Sequence, residues 1–162
     1  MTGHTWDRLD VALVQAAADL VSDRNRARLD ELAPTGADLV VFPEAFARDF
    51  GPVHDDLAAV AEPVDGPFAT ELARVAADRR STLVAGMFEA TGGHPFNTLL
   101  ATDGSSQQGY RKIHLYDSFG YRESDRLSAG PIAPALVEVG GAAVGLMTCY
   151  DLRFPELARA LV

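Results

Sequence analysis

Residues 38–43, Asp-Leu-Val-Val-Phe-Pro, are the feature that most limits the folds open to this chain. A continuous β-branched and aromatic run is typical of a strand covered on both faces, as in a parallel sheet. Residues 22–33, with apolar residues at helical spacing, precede it, and a short apolar run at 11–16 precedes them. This order predicts a right-handed strand–helix–strand unit with parallel strands. Ligands of such sheets lie beyond the carboxyl ends of the strands, where Glu44 stands.

The pattern then repeats once before it changes to hairpins. Gly66-Pro67 begins a segment with one apolar helical face, and residues 82–88 form the next predicted strand. Two antiparallel hairpins are predicted further along the chain: 96–102 with 107–113, and 135–139 with 142–148. Cys149 falls between the last of these strands and a helix begun by Pro155. No repeat or linker divides the chain, so we predict a single α/β domain over residues 1–162.

Composition excludes several classes of protein. The chain has 162 residues, 48% of them hydrophobic, which is enough for one core and argues against disorder. A formal net charge of −9 disfavours nucleic acid and anionic lipid as partners. The single cysteine and the spacing of the four histidines predict neither a disulfide nor a metal site, and no cofactor-binding motif is present.

The N-terminal sequence and the apolar runs bear on localisation. Charged residues at positions 7 and 8 interrupt the N-terminus before any signal-like apolar run can develop. The longest apolar stretch, residues 135–150, is shorter than the roughly 20 residues of a membrane span. We therefore expect a cytoplasmic protein that is not in a membrane.

Three residues at or near the ends of predicted strands could together perform nucleophilic chemistry. Cys149 precedes a predicted helix, whose positive end favours the thiolate. A carboxylate such as Glu44 can take the thiol proton, and a cation such as Lys112 can neutralise developing charge. Taken singly, each has a plainer interpretation: a small buried hydrophobe for Cys149, and solvated surface charges for Glu44 and Lys112. Glu123, an acidic residue in a long loop, gives the weakest signal alone.

Together the segments resemble the nitrilase superfamily of carbon–nitrogen hydrolases, whose signature order is Glu, Lys, Cys. Residues 36–44, Gly-Ala-Asp-Leu-Val-Val-Phe-Pro-Glu, resemble its glutamate segment, and residues 110–115, Tyr-Arg-Lys-Ile-His-Leu, its lysine segment. Residues 149–157, Cys-Tyr-Asp-Leu-Arg-Phe-Pro-Glu-Leu, resemble its nucleophile segment. Residues 122–130 resemble the loop that supplies a second glutamate. The chain is thereby identified as a member from about residue 9 onward.

The resemblance implies a fold and an assembly. The fold is an α-β-β-α sandwich, commonly doubled in a homodimer or a higher homo-oligomer. Because family members usually continue for about another hundred residues, a size in keeping with one large domain, we expect residues 1–162 to be the N-terminal part of the domain. The sandwich would then be incomplete at its C-terminus.

The resemblance also implies a reaction. Cys149 attacks an amide carbonyl, and Glu44 transfers the proton to the departing ammonia. Lys112 and the backbone N–H of Tyr150 stabilise the oxyanion. Glu123 holds Lys112 or positions the substrate amide. No metal or cofactor takes part, and the partner is a small-molecule amide.

The residues after the cysteine favour one branch of the family. Tyr150 followed by Asp-Leu-Arg-Phe-Pro resembles ω-amidases and deaminated-glutathione amidases more than nitrilases. Arg153 resembles the arginine with which carbamoylases bind a substrate carboxylate, although a salt bridge with Glu156 or Asp151 would explain it equally well. We therefore expect hydrolysis of a small carboxylate-bearing amide. An N-carbamoyl amino acid amidohydrolase and a non-catalytic scaffold remain the alternatives.

Overall fold

The computed structural model describes residues 8–162 and contains one five-stranded sheet of order β1-β2-β3-β4-β5. Residues 1–7, which include part of the charged N-terminal segment, lie outside the described residues. The first three strands are parallel, and β4 runs antiparallel to both of its neighbours, β3 and β5. The strands of this sheet are β1 (Val11–Leu13), β2 (Leu39–Val41), β3 (Thr82–Glu89), β4 (Phe96–Thr102) and β5 (Gln107–Arg111).

Helices and short hairpins complete the described part of the chain. The helices are α1 (Ser22–Leu32), α2 (Pro67–Arg79) and α3 (Pro155–Ala160). The small hairpins pair β6 (Asp117–Ser118) with β7 (Tyr121–Arg122), and β8 (Leu136–Val139) with β9 (Ala142–Gly145). Short 3₁₀ helices cover Ala58–Val60, Glu123–Asp125 and Cys149–Arg153. No helix among residues 8–162 has both the length and the apolar character needed to cross a membrane.

The central strand β3 is buried on both faces. Leu83, Ala85 and Met87 point to one side, where they pack in a cluster with the apolar faces of α1 and α2. Val84 points to the other side and belongs to a second cluster that includes Val139 of the β8–β9 hairpin and residues near α3. This alternation is the period-two pattern of a strand between two layers. It confirms a mixed α/β layered fold.

Most of the predicted elements are confirmed, with shorter strands. Both strand–helix–strand units and both hairpins form, but β5 ends at Arg111 rather than at residue 113. Beyond Arg111 the N–H of Lys112 still donates to the carbonyl of Asn97 on β4 at 2.8 Å, and the carbonyl of Lys112 accepts a hydrogen bond from the N–H of Gly130 at 2.8 Å. A Cβ at Gly130 would lie 2.3 Å from the carbonyl oxygen of Arg111, so only glycine allows this approach.

The turn that carries Glu44 rests directly on β3. The N–H of Gly86 donates to the carbonyl of Pro43 at 3.2 Å, and the N–H of Ala47 donates to the carbonyl of Gly86 at 2.9 Å. Ala45 takes a positive φ of 52° in this turn. A Cβ at Gly86 would lie 2.3 Å from the backbone nitrogen of Ala45. The absence of a side chain at Gly86 therefore allows the turn that carries Glu44 to pack against β3 at the end of β2.

Candidate active site

Lys112 lies at the centre of the candidate site, between two carboxylates. Its Nζ is 3.0 Å from Oε1 of Glu44 and 2.9 Å from Oε2 of Glu123. The lysine side chain is completely buried, and Glu44 and Glu123 are 25% and 6% exposed. The fold therefore brings together three of the predicted residues, from the end of β2, the end of β5 and the 3₁₀ helix after β7.

The two carboxylates keep the lysine charged. Burial by itself would lower the pKa of Lys112, because an ammonium ion loses hydration inside the protein. The negative charge of Glu44 and the hydrogen bond and charge of Glu123 outweigh that effect and raise the pKa of Lys112 above its ordinary value. At neutral pH the site therefore contains a fixed positive charge.

The backbone holds Cys149 in an uncommon conformation. Its φ is +49°, in the left-handed region that side chains with a Cβ seldom adopt, and the residue is exposed. It is the first residue of the 3₁₀ helix Cys149–Arg153, rather than lying directly before the helix of Pro155. The turn thus leaves Cys149 exposed at the protein surface.

The Cys149 thiol has a raised pKa, contrary to the expectation that its surroundings favour the thiolate. Partial withdrawal of the sulfur from water raises the pKa of the Cys149 thiol, and the negative charge of Glu44 raises it further. The positive charge of Lys112 acts in the opposite direction but is weaker. A 3₁₀ helix of five residues also has a smaller dipole than a long α-helix. The resting cysteine is therefore a thiol that needs a base.

Asp151 organises the nucleophile turn, and sequence reasoning did not single it out for this role. It is fully buried, and its Oδ2 accepts hydrogen bonds from Tyr110 Oη at 2.6 Å and from the N–H of Thr148 at 3.1 Å. Its Oδ1 contacts the backbone N–H of His114 at 3.0 Å and the ring Nδ1 of His114 at 2.8 Å. Asp151 therefore joins the lysine segment to the cysteine segment.

The spacing of residues in the sequence contained a signal for the role of Asp151. Tyr110 and His114 stand two residues on either side of Lys112, and Asp151 stands two residues after Cys149. Burial and the hydrogen bond to Asp151 raise the pKa of Tyr110, so its hydroxyl stays a donor.

The sequence analysis also missed Asn97. Its buried amide on β4 donates to Oε1 of Glu44 at 2.7 Å.

Aromatic rings stand next to the cysteine. Tyr150 packs edge-on against Tyr116 and against Phe154, with ring centroids 5.1 and 5.4 Å apart. The His114 ring stacks on Phe154 with centroids 3.6 Å apart. These contacts place Tyr150 beside the thiol and anchor the short helix that carries it.

Arg153 makes none of the salt bridges considered for it. It is exposed, and no ion pair involves it among residues 8–162. Asp151 is occupied by His114 and its other donors, and Glu156 lies 4.0 Å from Arg159 instead. Neither salt bridge considered for Arg153 forms, and no carboxylate within residues 8–162 pairs with its guanidinium.

Residues 8–162 contain no group of three or more His, Cys, Asp or Glu side chains arranged to hold a metal ion. The ionised groups described above supply the charges of the site.

Comparison with known proteins gives this geometry a context. A family model described as carbon-nitrogen hydrolase matches residues 10–162. A Mycobacterium tuberculosis protein named only as a hydrolase is 48% identical over 132 residues, which cover 78% of this chain and 46% of the relative. The deaminated glutathione amidase of Escherichia coli O157:H7 is 40% identical over 159 residues, covering 93% of this chain and 60% of the relative.

A solved structure agrees with the fold. A mutant of the Nesterenkonia AN1 amidase, of the nitrilase superfamily, superposes with a TM-score of 0.79 at 28% identity. The match covers 94% of this chain and 60% of that one. The chain thus spans about half to three fifths of the length of the relatives that it matches.

Proposed function

Because the chain belongs to the carbon–nitrogen hydrolase family, we propose that it carries the acyl-transfer centre of an amidase that acts on a small carboxylate-bearing amide. The observation that carries this proposal is the buried Lys112 ammonium held between Glu44 and Glu123, with an exposed cysteine coupled to the same charges. A surface ion pair would need neither the burial nor two carboxylates. The arrangement suits a reaction in which a base, a cation and a nucleophile act on one carbonyl.

In the first half of the reaction, the Cys149 sulfur forms a bond to the amide carbon. Glu44 takes the thiol proton as the sulfur attacks, which meets the need created by the raised pKa of the thiol. The tetrahedral intermediate then collapses with cleavage of the carbon–nitrogen bond. Glu44 returns its proton to the nitrogen, so ammonia leaves and an acyl-thioester remains.

In the second half, water replaces ammonia. Glu44 accepts a proton from the water while the water oxygen attacks the thioester carbon, and the carbon–sulfur bond breaks. The proton then goes to the departing sulfur. The products are a carboxylic acid and the free thiol, so one amide and one water give one acid and one ammonia.

Lys112 and Tyr150 would stabilise the oxyanion in both halves. The Lys112 ammonium is charged before substrate arrives, so its stabilisation requires no proton transfer. The N–H of Tyr150 belongs to the first turn of a 3₁₀ helix, where N–H groups have no acceptor within the helix. Glu123 holds Lys112 at 2.9 Å and also accepts the N–H of Tyr116 at 2.8 Å, which suits an anchor for the lysine.

Arg153 supports the choice of a carboxylate-bearing substrate. Its guanidinium has no carboxylate partner among the described residues, and it lies four residues after the nucleophile. A guanidinium binds a carboxylate through two parallel hydrogen bonds. The relative named deaminated glutathione amidase is named for a substrate that carries carboxylates, which is consistent with this assignment.

Ammonia release tests the proposal. The panel comprises neutral amides, ω-amides of keto acids, N-carbamoyl amino acids and nitriles, each incubated with this chain and with its Cys149→Ala variant. We expect release from ω-amides that disappears in the variant, while both proteins unfold at the same urea concentration. Equal release by both proteins would contradict the proposal.

The same assay separates the two alternatives. Carbon dioxide released together with ammonia from an N-carbamoyl substrate would identify the carbamoylase. The scaffold alternative predicts a folded chain that releases ammonia from no member of the panel.

A further inference from the structure

The Glu44 carboxylate is held through one of its two oxygens. Oε1 accepts hydrogen bonds from Lys112 Nζ at 3.0 Å and from Asn97 Nδ2 at 2.7 Å. Within residues 8–162, no nitrogen or hydroxyl group donates a hydrogen bond to Oε2. Two donors on one oxygen fix the orientation of the carboxylate and leave the other oxygen able to accept a proton.

Asn97 has a side chain with a single protein partner. The residue is 1% exposed, and none of the described residues donates to its Oδ1, so Glu44 accounts for all the protein hydrogen bonding of its amide. Its backbone carbonyl accepts the N–H of Lys112 at 2.8 Å. Burying an amide costs free energy that an apolar side chain of the same size would not. Among the described residues, the hydrogen bond to Glu44 is therefore what offsets the burial of this amide.

We propose that Asn97 is a positioning residue, which holds Oε1 of ionised Glu44 and thereby leaves Oε2 as the oxygen that takes the Cys149 proton. Its catalytic meaning rests on the proposed function above. Asn97 itself touches neither the thiol nor a reacting atom. It acts through Glu44.

The direction of the amide follows from charge. If the amide were turned, Oδ1 of Asn97 would face Oε1 of Glu44 at 2.7 Å, and two acceptors would repel each other. The Nδ2 donor is favoured there because Glu44 is a carboxylate. A donor to an ionised oxygen makes a stronger hydrogen bond than one to a neutral oxygen, so Asn97 stabilises the form of Glu44 that can act as a base.

Other ionisable groups also face Glu44 and set its surroundings. Lys112 contacts it directly, and Glu123 lies on the other side of the lysine ammonium. The negative charge of Glu44 contributes to the raised pKa of Tyr121, on β7, and of Cys149. These groups stay in place when only the Asn97 amide is removed, so the effect of that amide can be measured separately.

The test compares Asn97→Leu with Thr98→Val, its neighbour on β4. Thr98 is also buried, and its Oγ1 donates at 2.8 Å to a different carboxylate, that of Glu89. Each variant removes one buried donor to a carboxylate while keeping the number and branching of the heavy side-chain atoms. The measurements are the rate of alkylation of the single cysteine by iodoacetamide, and ammonia release, both across pH.

We expect the acidic limb of the ammonia-release profile to move to higher pH by about one to two units in Asn97→Leu. The alkylation limb should move to lower pH, because a Glu44 that is less readily ionised raises the pKa of the Cys149 thiol less. Thr98→Val should keep the wild-type limb, because Glu89 does not contact Glu44 or Lys112. Should Asn97→Leu fail to fold by urea denaturation, Asn97→Ser is the second variant, since its shorter hydroxyl does not span the bond. An unshifted limb in the folded Asn97 variant, or an equal shift in Thr98→Val, overturns the inference.

Alkylation separates this inference from the proposed function. If the wild-type chain releases no ammonia but its alkylation limb still shifts in the Asn97 variant, the positioning of Glu44 stands and the amidase proposal fails. If ammonia is released and neither limb shifts, the amidase proposal stands and the inference about Asn97 fails.

Discussion

Replacing Gly86 with alanine tests how the glutamate turn is placed. A Cβ at this position would lie 2.3 Å from the nitrogen of Ala45 and 2.8 Å from the carbonyl carbon and the Cα of Glu44. All three atoms are backbone, so no side chain can rotate away. Ordinary contact begins at 3.4 Å, and the turn or the strand must therefore move by about 1 Å.

Two magnitudes follow from that displacement. Overpacking of this kind costs about 1–3 kcal/mol of unfolding free energy. A displacement of about 1 Å at a catalytic group lowers the rate by roughly 100-fold. We therefore expect Gly86→Ala to remain folded but to lose nearly all Glu44-assisted ammonia release.

Gly109→Ala on β5 is the matched control. The nearest heavy atom to its added Cβ would be Thr98 Cγ2 at 3.8 Å, which is an ordinary contact. The assays are urea denaturation and the rate of ammonia release. If Gly86→Ala matches Gly109→Ala in both stability and reactivity, the reasoning about the close approach of the turn to β3 is refuted.

Three further substitutions test individual contacts. Asp151→Asn should lower the unfolding free energy by about 2 kcal/mol or more in urea, because an amide nitrogen then faces donors such as His114; an unchanged midpoint would contradict its structural role. Glu44→Gln should lower the pH at which thiolate absorbance of Cys149 appears at 240 nm, since the Glu44 charge raises the pKa of that thiol; a move to higher pH would show the opposite coupling. Arg153→Ala should raise KM about tenfold for carboxylate-bearing amides, leave neutral amides unchanged and shift stability by less than about 0.5 kcal/mol; equal effects on both substrate classes would argue against carboxylate binding.

The sequence could predict the sheet because its strands are marked by local patterns. Residues 39–42 and 82–88 are continuous apolar runs, and a strand between two layers needs such a run. The positions of Glu44 and Lys112 follow from the same patterns. Strand β5 points in the same direction as β2, because two antiparallel pairings, β3–β4 and β4–β5, reverse the chain twice, so β2 and β5 end at one edge of the sheet. Glu123 had no comparable local mark, and only its resemblance to the family's loop distinguished it.

The roles of Asn97 and Asp151 could not be predicted in this way. Each depends on which distant residue faces it, and strand register and loop closure decide that. The expectation for the pKa of Cys149 was wrong for a related reason. The rule that a helix N-terminus favours a thiolate considers only the chain next to the thiol. The charge that matters comes from Glu44, which is 105 positions earlier in the chain.

The long separation between Glu44 and Lys112 also has a consequence for folding kinetics. Lys112 meets Glu123 across 11 residues but meets Glu44 across 68. The entropic cost of closing a loop rises with its length, and long-range pairing slows folding. We expect the lysine to pair first with Glu123, and the complete charge arrangement to form only when β2 has joined the sheet. The moment at which Cys149 acquires its base would then mark the last stage of refolding.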